Sequence, residues 1–341
     1  MTQQSKHRAQ SVDHQPLSLV GGKIAVLIPC RNEEASIAQV VRDFQHHLPT
    51  ATVYVYDNGS SDETAQVARD AGAQVFSEPL VGKGNVVRRM FADIEADIYL
   101  MVDGDGTYDA SSAPRMIQYL VTNGLDMVNC ARISSDGGAY RRGHRIGNRM
   151  LTGLVARVFG NRLSDMLSGY RALSRRFVKS FPALSTGFEI ETEITVHALE
   201  LRAPVGELSA PYVSRPRGSS SKLRTVRDGL RIFGLIVHLV KEERPLQFFT
   251  TGFCALAASS IGLGIPVVAE YFATGLVGRL PTAVLATGLM IVAFLSLMCG
   301  LILDTVTRGR RELKRLLYLA AGREEKARES RAPAQLRRNT P

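Results

Sequence analysis

The sequence predicts an α/β domain with a mostly parallel sheet, followed by an amphipathic helix and two membrane-spanning helices. Three observations support this class. Apolar strand-like runs alternate with helical patterns over the first two thirds of the chain; basic and apolar residues share helical spacing over 223–244; and two long stretches near the C-terminus carry no charge. Regular alternation of strand and helix indicates βαβ units and helices on both faces of the sheet.

The alternation can be followed element by element. Strands are predicted over 23–29, 51–57, 73–77, 96–103 and 125–131, and helices over 33–48, 60–72, 82–95 and 112–124. Ser60 or Ser61 is predicted to cap the second helix. Ligands of such sheets bind beyond the carboxyl ends of the strands, so those positions are the first place to look for a site.

Charge and cysteine content limit the class of protein. The 341 residues carry a net charge of +10, which admits nucleic acid, anionic lipid and phosphorylated ligands alike. The four cysteines form no CxxC pair, so we expect a reducing compartment without disulfides or structural zinc. Residues 1–20 are polar and lack an apolar core, which predicts a disordered leader and no signal peptide.

The C-terminal third predicts a membrane anchor. Residues 245–269 and 280–303 are free of charge, and each exceeds the roughly 20 residues that a helix needs to cross a bilayer. We expect a transmembrane hairpin over 245–305. Lys and Arg are more frequent on its outer flanks than in its connecting loop, which places the N-terminal domain and a basic tail, 306–341, in the cytoplasm. Beyond Gly322 the tail is predicted to be disordered.

The stretch 223–244 joins the domain to this hairpin. Its apolar residues recur every three or four positions with arginines between them, as in a helix that lies in the headgroup layer. An ordinary surface helix packed on the domain is the alternative. The chain then divides into a leader (1–20), a cytoplasmic domain (21–222), this helix, the hairpin and the tail.

Polar residues follow three of the predicted strands and should meet at one edge of the sheet. They are Pro29, Arg31, Asn32 and Glu33 after the first strand, Asp57, Asn58 and Gly59 after the second, and Asp103, Gly104 and Asp105 after the fourth. Two carboxylates at this spacing can share one Mg²⁺ or Mn²⁺, whose shell phosphate oxygens and water complete. A simple turn is the alternative, since Gly104 and Gly106 suit one, but the position after a parallel strand favours the metal.

A glycine-rich stretch, "VGKGN" at 81–85, precedes a predicted helix. It can cradle a phosphate at the helix start. It lacks the full P-loop pattern, which argues against ATPase chemistry.

Several motifs together resemble one family. "IPCRNEE", "VYDNGSSDET", "GKGNVVRRMF" and "MVDGDGTYD" resemble family 2 glycosyltransferases with the GT-A fold, a Rossmann-like, mostly parallel sheet with helices on both faces. "SGYRALSRRFVKSFP", "GFEIETEITVHAL" and "RPRGSSSKLRTVRDGLRI" resemble the branch that moves a sugar from a nucleotide to a polyprenyl phosphate. Dolichyl-phosphate mannose synthases and bacterial undecaprenyl-phosphate glycosyltransferases belong to that branch. The resemblance covers residues 23–245.

The resemblance implies roles for individual residues at the donor side. The implied nucleotide-sugar ligands are Pro29, Arg31, Glu33, Asp57, Lys83, Asp103 and Gly104. Asp103 and Asp105 are the implied ligands of Mg²⁺ or Mn²⁺, and Asp105 thereby takes part in catalysis. Where many relatives have Gln, this chain has Thr107, so the third ligand is open between Thr107, Asp109 and water.

At the acceptor side the resemblance implies basic residues around a lipid phosphate. Arg132 is the first choice, followed by Arg145, Arg217 and Lys222. Asp165 occupies the position of the family's base and is expected either to take a proton or to orient the acceptor phosphate. Glu189 and Glu191 are further candidates for sugar or structural contacts.

The function these features imply is inverting transfer of one sugar from a nucleotide-sugar to undecaprenyl phosphate, giving a lipid-linked donor for cell-envelope glycans. We expect the donor to be a UDP-sugar rather than a GDP-sugar, and the other partners to be membrane lipids and not nucleic acid. We expect a multi-pass protein of the inner membrane with both termini in the cytoplasm. Self-assembly through the helices is possible in such a protein and stays open. The alternatives are a glycosyltransferase with another acceptor and an inactive nucleotide-sugar-binding protein. A processive synthase is disfavoured because the chain has no tryptophan, and a nucleotidyltransferase because no glycine-rich turn follows the first strand.

Overall fold

The computed structural model describes residues 22–133, 153, 163–187, 189–213, 241–242 and 244–331. The strands are β1 (Ile24–Cys30), β2 (Thr52–Asp57), β3 (Gln74–Ser77), β4 (Ile98–Met101), β5 (Met127–Ile133), β6 (Arg171–Ser174) and β7 (Val205–Pro211). The helices are α1 (Glu34–His47), α2 (Thr64–Asp70), α3 (Lys83–Asp93), α4 (Ala113–Thr122), α5 (Arg175–Ser180), α6 (Ile190–Leu201), α7 (Pro245–Thr274) and α8 (Leu280–Arg331).

The strands form one sheet in the order β3-β2-β1-β4-β6-β5-β7. Strand β6 runs antiparallel to both of its neighbours, and the other pairings are parallel. The predicted α/β class with a mostly parallel sheet is therefore confirmed. Strands β1 to β5 fall where the hydrophobic pattern places them.

Two apolar layers enclose this sheet, one on each face. Alternate residues of β1 point to opposite sides, so Val26 joins one layer with Phe44 of α1, and Leu27 joins the other with Met90 of α3. Because the strand is buried on both faces, its sequence is a continuous apolar run. Helices on both faces are thus required to cover it.

Strand register brings the polar strand ends to one edge. Cys30 of β1 pairs with Asp57 at the end of β2, and Leu27 pairs with Met101 at the end of β4. Met101 in turn lies opposite Arg171, the first residue of the antiparallel strand β6. The residues that follow β1, β2 and β4 therefore start from neighbouring positions, as the sheet-edge argument predicts.

The start of α2 differs from the sequence prediction. The helix begins at Thr64, and Asp62 accepts hydrogen bonds from the Thr64 amide (3.1 Å) and hydroxyl. Ser60 and Ser61 do not cap it, because Ser60 bonds to Asp57 and the amide of Ser61 donates to Asn32. The serines instead tie together the loops that follow β1 and β2.

Two long helices at the C-terminal end have the length and composition to cross a membrane. Only 11% and 17% of their most apolar 18-residue stretches are buried. Core helices of a soluble protein would be mostly covered, so the exposure agrees with the predicted hairpin. Within the pair, Ser260 donates to the carbonyl of Ala286 (2.7 Å) and Ser296 to that of Phe249 (3.1 Å). The proposed headgroup-layer helix over 223–244 lies almost wholly outside the described residues.

Helix α8 does not end where its apolar stretch ends. It continues to Arg331 without a break, whereas the sequence predicts disorder after Gly322. The prediction of disorder is therefore wrong for 323–331.

The contact between α8 and the domain rests on two buried carboxylates. Asp126 accepts hydrogen bonds from Tyr318 (2.5 Å) and from Arg176 (2.5 and 3.0 Å). Glu200 at the end of α6 accepts one from Lys314 (2.7 Å). We call these five residues the docking cluster. It fixes the position of α8 relative to the sheet.

Candidate functional site

The two aspartates after β4 lie in different environments. The side chain of Asp103 is 28% exposed, whereas Asp105 is buried and its Oδ1 accepts hydrogen bonds from the amide (3.2 Å) and the hydroxyl (2.6 Å) of Thr107. Asp105 is oriented by its own loop, which leaves Asp103 as the more accessible carboxylate of the pair.

Lys83 links Asp103 to a residue from a distant part of the chain. Its ammonium group donates to Asp103 Oδ1 and to Glu191 Oε1, and its side chain is 11% exposed. Burial disfavours the charged form, but the two carboxylates outweigh that effect and raise the pKa of Lys83 well above its usual value. We call Lys83, Asp103 and Glu191 the site cluster; Lys83 is therefore a fixed positive charge within it.

The glycine-rich stretch before α3 explains how Lys83 reaches this place. Gly82 has φ of 137°, and a Cβ on Gly84 would lie 2.1 Å from the carbonyl oxygen of Ser185. The amide of Gly84 donates to the carbonyls of Thr186 and Gly187, both at 3.1 Å. That amide is thus used within the protein, so the predicted phosphate cradle is not supported at Gly84. The glycines instead allow the segment before α6 to pass close to α3.

A second close approach occurs between Asp103 and the loop before β6. A Cβ on Gly169 would lie 2.5 Å from Asp103 Oδ2, and the Gly169 amide donates to the Tyr108 hydroxyl (2.9 Å). Burial raises the pKa of Tyr108, Arg132 lowers it and Asp103 raises it, so the phenol lies within the field of both charged residues. Gly169 is therefore a spacer that lets the loop touch the first aspartate.

The loops after β1 and β2 form the other side of the edge. Asp57 is buried and accepts hydrogen bonds from the hydroxyl and amide (3.3 Å) of Ser60. Asn58 donates to the carbonyls of Glu78 (2.9 Å) and Leu80 (2.8 Å) and accepts from the amide of Gly82 (2.7 Å). Asn58 thus holds the loop that leads to Lys83. Of the other predicted donor-side residues, Arg31 is exposed, Pro29 and Glu33 are half-buried, and Gly104 is buried.

Arg132 and Asp165, both predicted for the acceptor side, are bonded to each other. The guanidinium of Arg132 donates two hydrogen bonds to the Asp165 carboxylate, at 2.6 and 2.8 Å, and lies 5.4 Å from the ring centre of Tyr212. Such a bidentate pair fixes the orientation of both groups. The arrangement favours an orienting role for Asp165, because its carboxylate is engaged with a cation. Arg145, Arg217 and Lys222 lie outside the described residues.

The side chains at this edge supply some, but not all, of the ligands that a hard divalent cation needs. Asp103 and Asp105 supply carboxylate oxygens, which Mg²⁺ and Mn²⁺ prefer. Among the described residues, no group of three or more His, Cys, Asp or Glu side chains is arranged around one metal position. Phosphate and water oxygens would have to complete the shell, as is usual for Mg²⁺ at diphosphates. Thr107 points its hydroxyl at Asp105, and Asp109 caps the short helix that follows through Ser111 and Ser112.

Sequence reasoning missed a buried arginine beneath the site. Arg171 is fully buried, and burial lowers its pKa to about 10. It donates to the carbonyls of Met166 (2.6 Å) and Ser168 (3.0 Å) and to the Thr195 hydroxyl (2.9 Å). It therefore ties the loop that carries Asp165 to the helix that carries Glu191. The sequence signal that could have revealed it is a charged residue, Arg171, at the start of a short, otherwise uncharged strand.

Comparisons with known proteins agree with this geometry. Residues 25–181 match the family described as "Glycosyl transferase family 2". The chain is 35% identical over 296 residues to the glycosyltransferase AglJ of Haloferax volcanii, covering 86% of this chain and 97% of that one. It is 27% identical over 222 residues to a dolichyl-phosphate hexose transferase of the same organism, covering 65% and 95%.

A solved structure shares the fold. Glucosyl-3-phosphoglycerate synthase from Mycobacterium tuberculosis, in complex with Mn²⁺, UDP and glucosyl-3-phosphoglycerate, superposes with a TM-score of 0.54 at 23% identity, covering 67% of this chain and 85% of that one. The sheet, the predicted motifs and the near full-length relative lead to one assignment. The chain belongs to glycosyl transferase family 2 and has the fold of its GT-A members.

Proposed function

We propose that this protein transfers a single sugar from a nucleotide-sugar to a polyprenyl phosphate, undecaprenyl phosphate in a bacterium, with inversion at the anomeric carbon. The observation that carries the proposal is the site cluster beside Asp105, on a domain that the docking cluster joins to two apolar helices. A soluble acceptor would not require that connection. The match to a dolichyl-phosphate hexose transferase supports a lipid phosphate acceptor.

The donor would lie along the sheet edge between the β1–β2 loops and the site cluster. Asp57 and Glu33 offer acceptors to a base or ribose, and Lys83 is a buried cation beside Asp103 that can meet a diphosphate. Asp103 and Asp105 would hold Mg²⁺ or Mn²⁺, which when bound neutralises charge on the leaving diphosphate. Proteins with the same fold that were crystallised with Mn²⁺ and UDP or UDP-glucose support a UDP-sugar, rather than a GDP-sugar, as the donor.

The acceptor phosphate would approach from the Arg132 side. Its second pKa is about 6, so its oxygen is already an anion at neutral pH and needs no strong base to attack the anomeric carbon. Asp165 would hold the Arg132 guanidinium in place for the phosphate through the two hydrogen bonds described. Arg145, Arg217 and Lys222 would add to this basic surface.

The membrane position follows from the two apolar helices and from the distribution of Lys and Arg around them. The hairpin of α7 and α8 would anchor the chain in the inner membrane, with the domain over 21–222 and both termini in the cytoplasm. The product would then serve as a lipid-linked donor for envelope glycans.

The test is an assay with radiolabelled UDP- and GDP-sugars, undecaprenyl phosphate and Mn²⁺ or Mg²⁺, using detergent-purified full chain and organic extraction. We expect label to enter the organic phase with one donor and to stop doing so when EDTA is added. Label that enters the organic phase equally well in EDTA would refute the metal dependence. Transfer to water or to a soluble phosphate, with none to the lipid, would refute the acceptor.

A further inference from the structure

One lysine serves two carboxylates at the site. Lys83 donates to Asp103 and to Glu191, and the Glu191 side chain is 7% exposed. The second oxygen of Glu191, Oε2, is buried and has no hydrogen-bond partner among the residues that the structure describes. A buried carboxylate oxygen without a donor costs free energy, and for Glu191 the contact with Lys83 offsets that cost.

Asp103 and Glu191 share one ammonium group, although they lie on different elements of the fold. Arg171 is a second positive charge that acts on Glu191, but it donates to the Thr195 hydroxyl. Among the described residues Lys83 is thus the cation bonded to both acids, and either acid can keep it when the other takes a new partner.

A divalent cation on Asp103 would compete with Lys83. Both are attracted by the same carboxylate and repel each other at this range. Lys83 must then give up part of its contact with Asp103. Glu191 is the second carboxylate already in contact with its ammonium group, and it is carried by another element, α6.

We propose that Glu191 is a positioning residue for Lys83: it keeps the lysine at the site when a metal ion takes Asp103, so that the ammonium group changes partner and stays beside the diphosphate. This inference rests on the proposed function. Lys83 would act as the resident cation of the free enzyme, and Glu191 would prevent it from either blocking the metal or leaving the site.

The test measures Mn²⁺ binding to the full chain in detergent by electron paramagnetic resonance, without and with UDP. Lys83→Met removes the competing cation, so we expect Mn²⁺ alone to bind about tenfold more tightly and UDP to bind more weakly. Glu191→Gln leaves Lys83 with Asp103 as its charged partner, so Mn²⁺ should bind about fivefold more weakly. The two substitutions remove opposite partners of the same ion pair, so we expect them to change the Mn²⁺ affinity in opposite directions.

The double variant separates positioning from direct metal ligation. If Glu191 acts through Lys83, Glu191→Gln should have little further effect on Mn²⁺ affinity once Lys83 is Met. An equal loss in both backgrounds would mean that Glu191 is itself a metal ligand and would overturn the proposal. Equal Mn²⁺ affinities for wild type and both single variants would also overturn it. Should Lys83→Met fail to fold, judged by thermal unfolding, Lys83→Gln replaces it.

Two controls keep this result apart from failure of the proposed function. Glu200→Gln makes the same change in a buried, lysine-bonded glutamate of the same helix, about 14 Å away at 1.5 Å per residue, and should leave Mn²⁺ affinity unchanged. Asp105→Asn should abolish Mn²⁺ binding. If wild type itself binds no Mn²⁺ with UDP present, the metal site and this inference both fall; if it does and the variants do not shift it, the inference alone falls.

Discussion

Two buried carboxylates are satisfied in opposite ways. Asp126, in the docking cluster, accepts four side-chain hydrogen bonds, from Ser174, from Arg176 twice and from Tyr318. Glu191, in the site cluster, shares a single lysine with Asp103, and its Oε2 has no donor among the described residues.

The difference separates a structural ion network from a binding site. A buried carboxylate with every acceptor position filled gains nothing from a new cation, and its hydrogen bonds hold elements together. A buried carboxylate short of donors has free energy to gain from a ligand. Changes in the docking cluster should therefore lower stability, and changes in the site cluster should lower activity.

Asp126→Ala should have the largest effect. It removes a fully buried acceptor of four hydrogen bonds and leaves the Ser174 and Tyr318 hydroxyls and the half-buried Arg176 without it, so the free energy of unfolding should fall by about 3 kcal/mol. Thermal unfolding in detergent measures it. Asp93→Ala, which breaks an exposed pair with Arg89, is the matched control and should lower the unfolding midpoint much less. Equal shifts for the two variants would contradict the distinction between the clusters.

His197 of α6 should make the stability of the folded protein sensitive to acid. Burial, with Lys314 nearby, lowers the pKa of His197 to about 4 against the partial effect of Glu200, whereas an unfolded histidine titrates near 6.5. Between these values only the unfolded chain binds the proton, so stability is full above pH 6.5 and falls by up to about 3 kcal/mol as the pH approaches 4.

The measurement is the unfolding midpoint from pH 7 to pH 4. His197→Gln should flatten that part of the profile, because glutamine does not titrate there. A variant profile that falls as steeply as wild type would show that another group is responsible.

Asp105→Asn should reduce turnover about a hundredfold, or about 2.7 kcal/mol in the activation free energy. The asparagine oxygen can still accept from Thr107, so the unfolding midpoint should change little. Asp109→Asn, in the same loop but at a helix cap, is the control and should keep most of the turnover. Comparable losses in the two variants would remove the special role given to Asp105.

Tyr318→Phe should have the smallest effect. It deletes one hydrogen bond to Asp126 and keeps the ring over Arg176, which should cost about 1 kcal/mol and lower the unfolding midpoint by roughly 2–4 °C. Tyr271→Phe, on an exposed part of α7, should not move the midpoint. A wild-type midpoint for Tyr318→Phe would mean that α8 is not held at this position.

Much of the fold could be predicted because its signals are local. Strands β1, β2, β4 and β5 are mostly buried, and β3 is a short, exposed edge strand between two helical segments. The sheet-edge rule placed Asp57, Asp103 and Asp105 together. Strand β6 was missed because it has four residues and begins with a charged one, and β7 because glycine and proline interrupt it. Their positions depend on neighbouring strands rather than on their own pattern.

The site could be predicted only where strand ends define it. Lys83 is bonded to Glu191 across 108 positions of sequence, and Arg132 to Asp165 across 33. No periodicity encodes such pairs, since they depend on how α6 and the loop before β6 pack on the sheet. Similarly, the sequence predicts the same role for Asp103 and Asp105, and only the structure shows that Asp105 is buried while Asp103 is partly exposed.

The continuity of α8 has a consequence for how such an enzyme would find its substrates. The helix has 52 residues and no break between its apolar part and Lys314, which lies eleven residues, or about 17 Å, beyond Leu303. The domain would therefore be kept at a set height above the bilayer. Acceptors would be searched for in two dimensions and donors in three, and a lipid would be selected by the height of its phosphate rather than by the length of its chain.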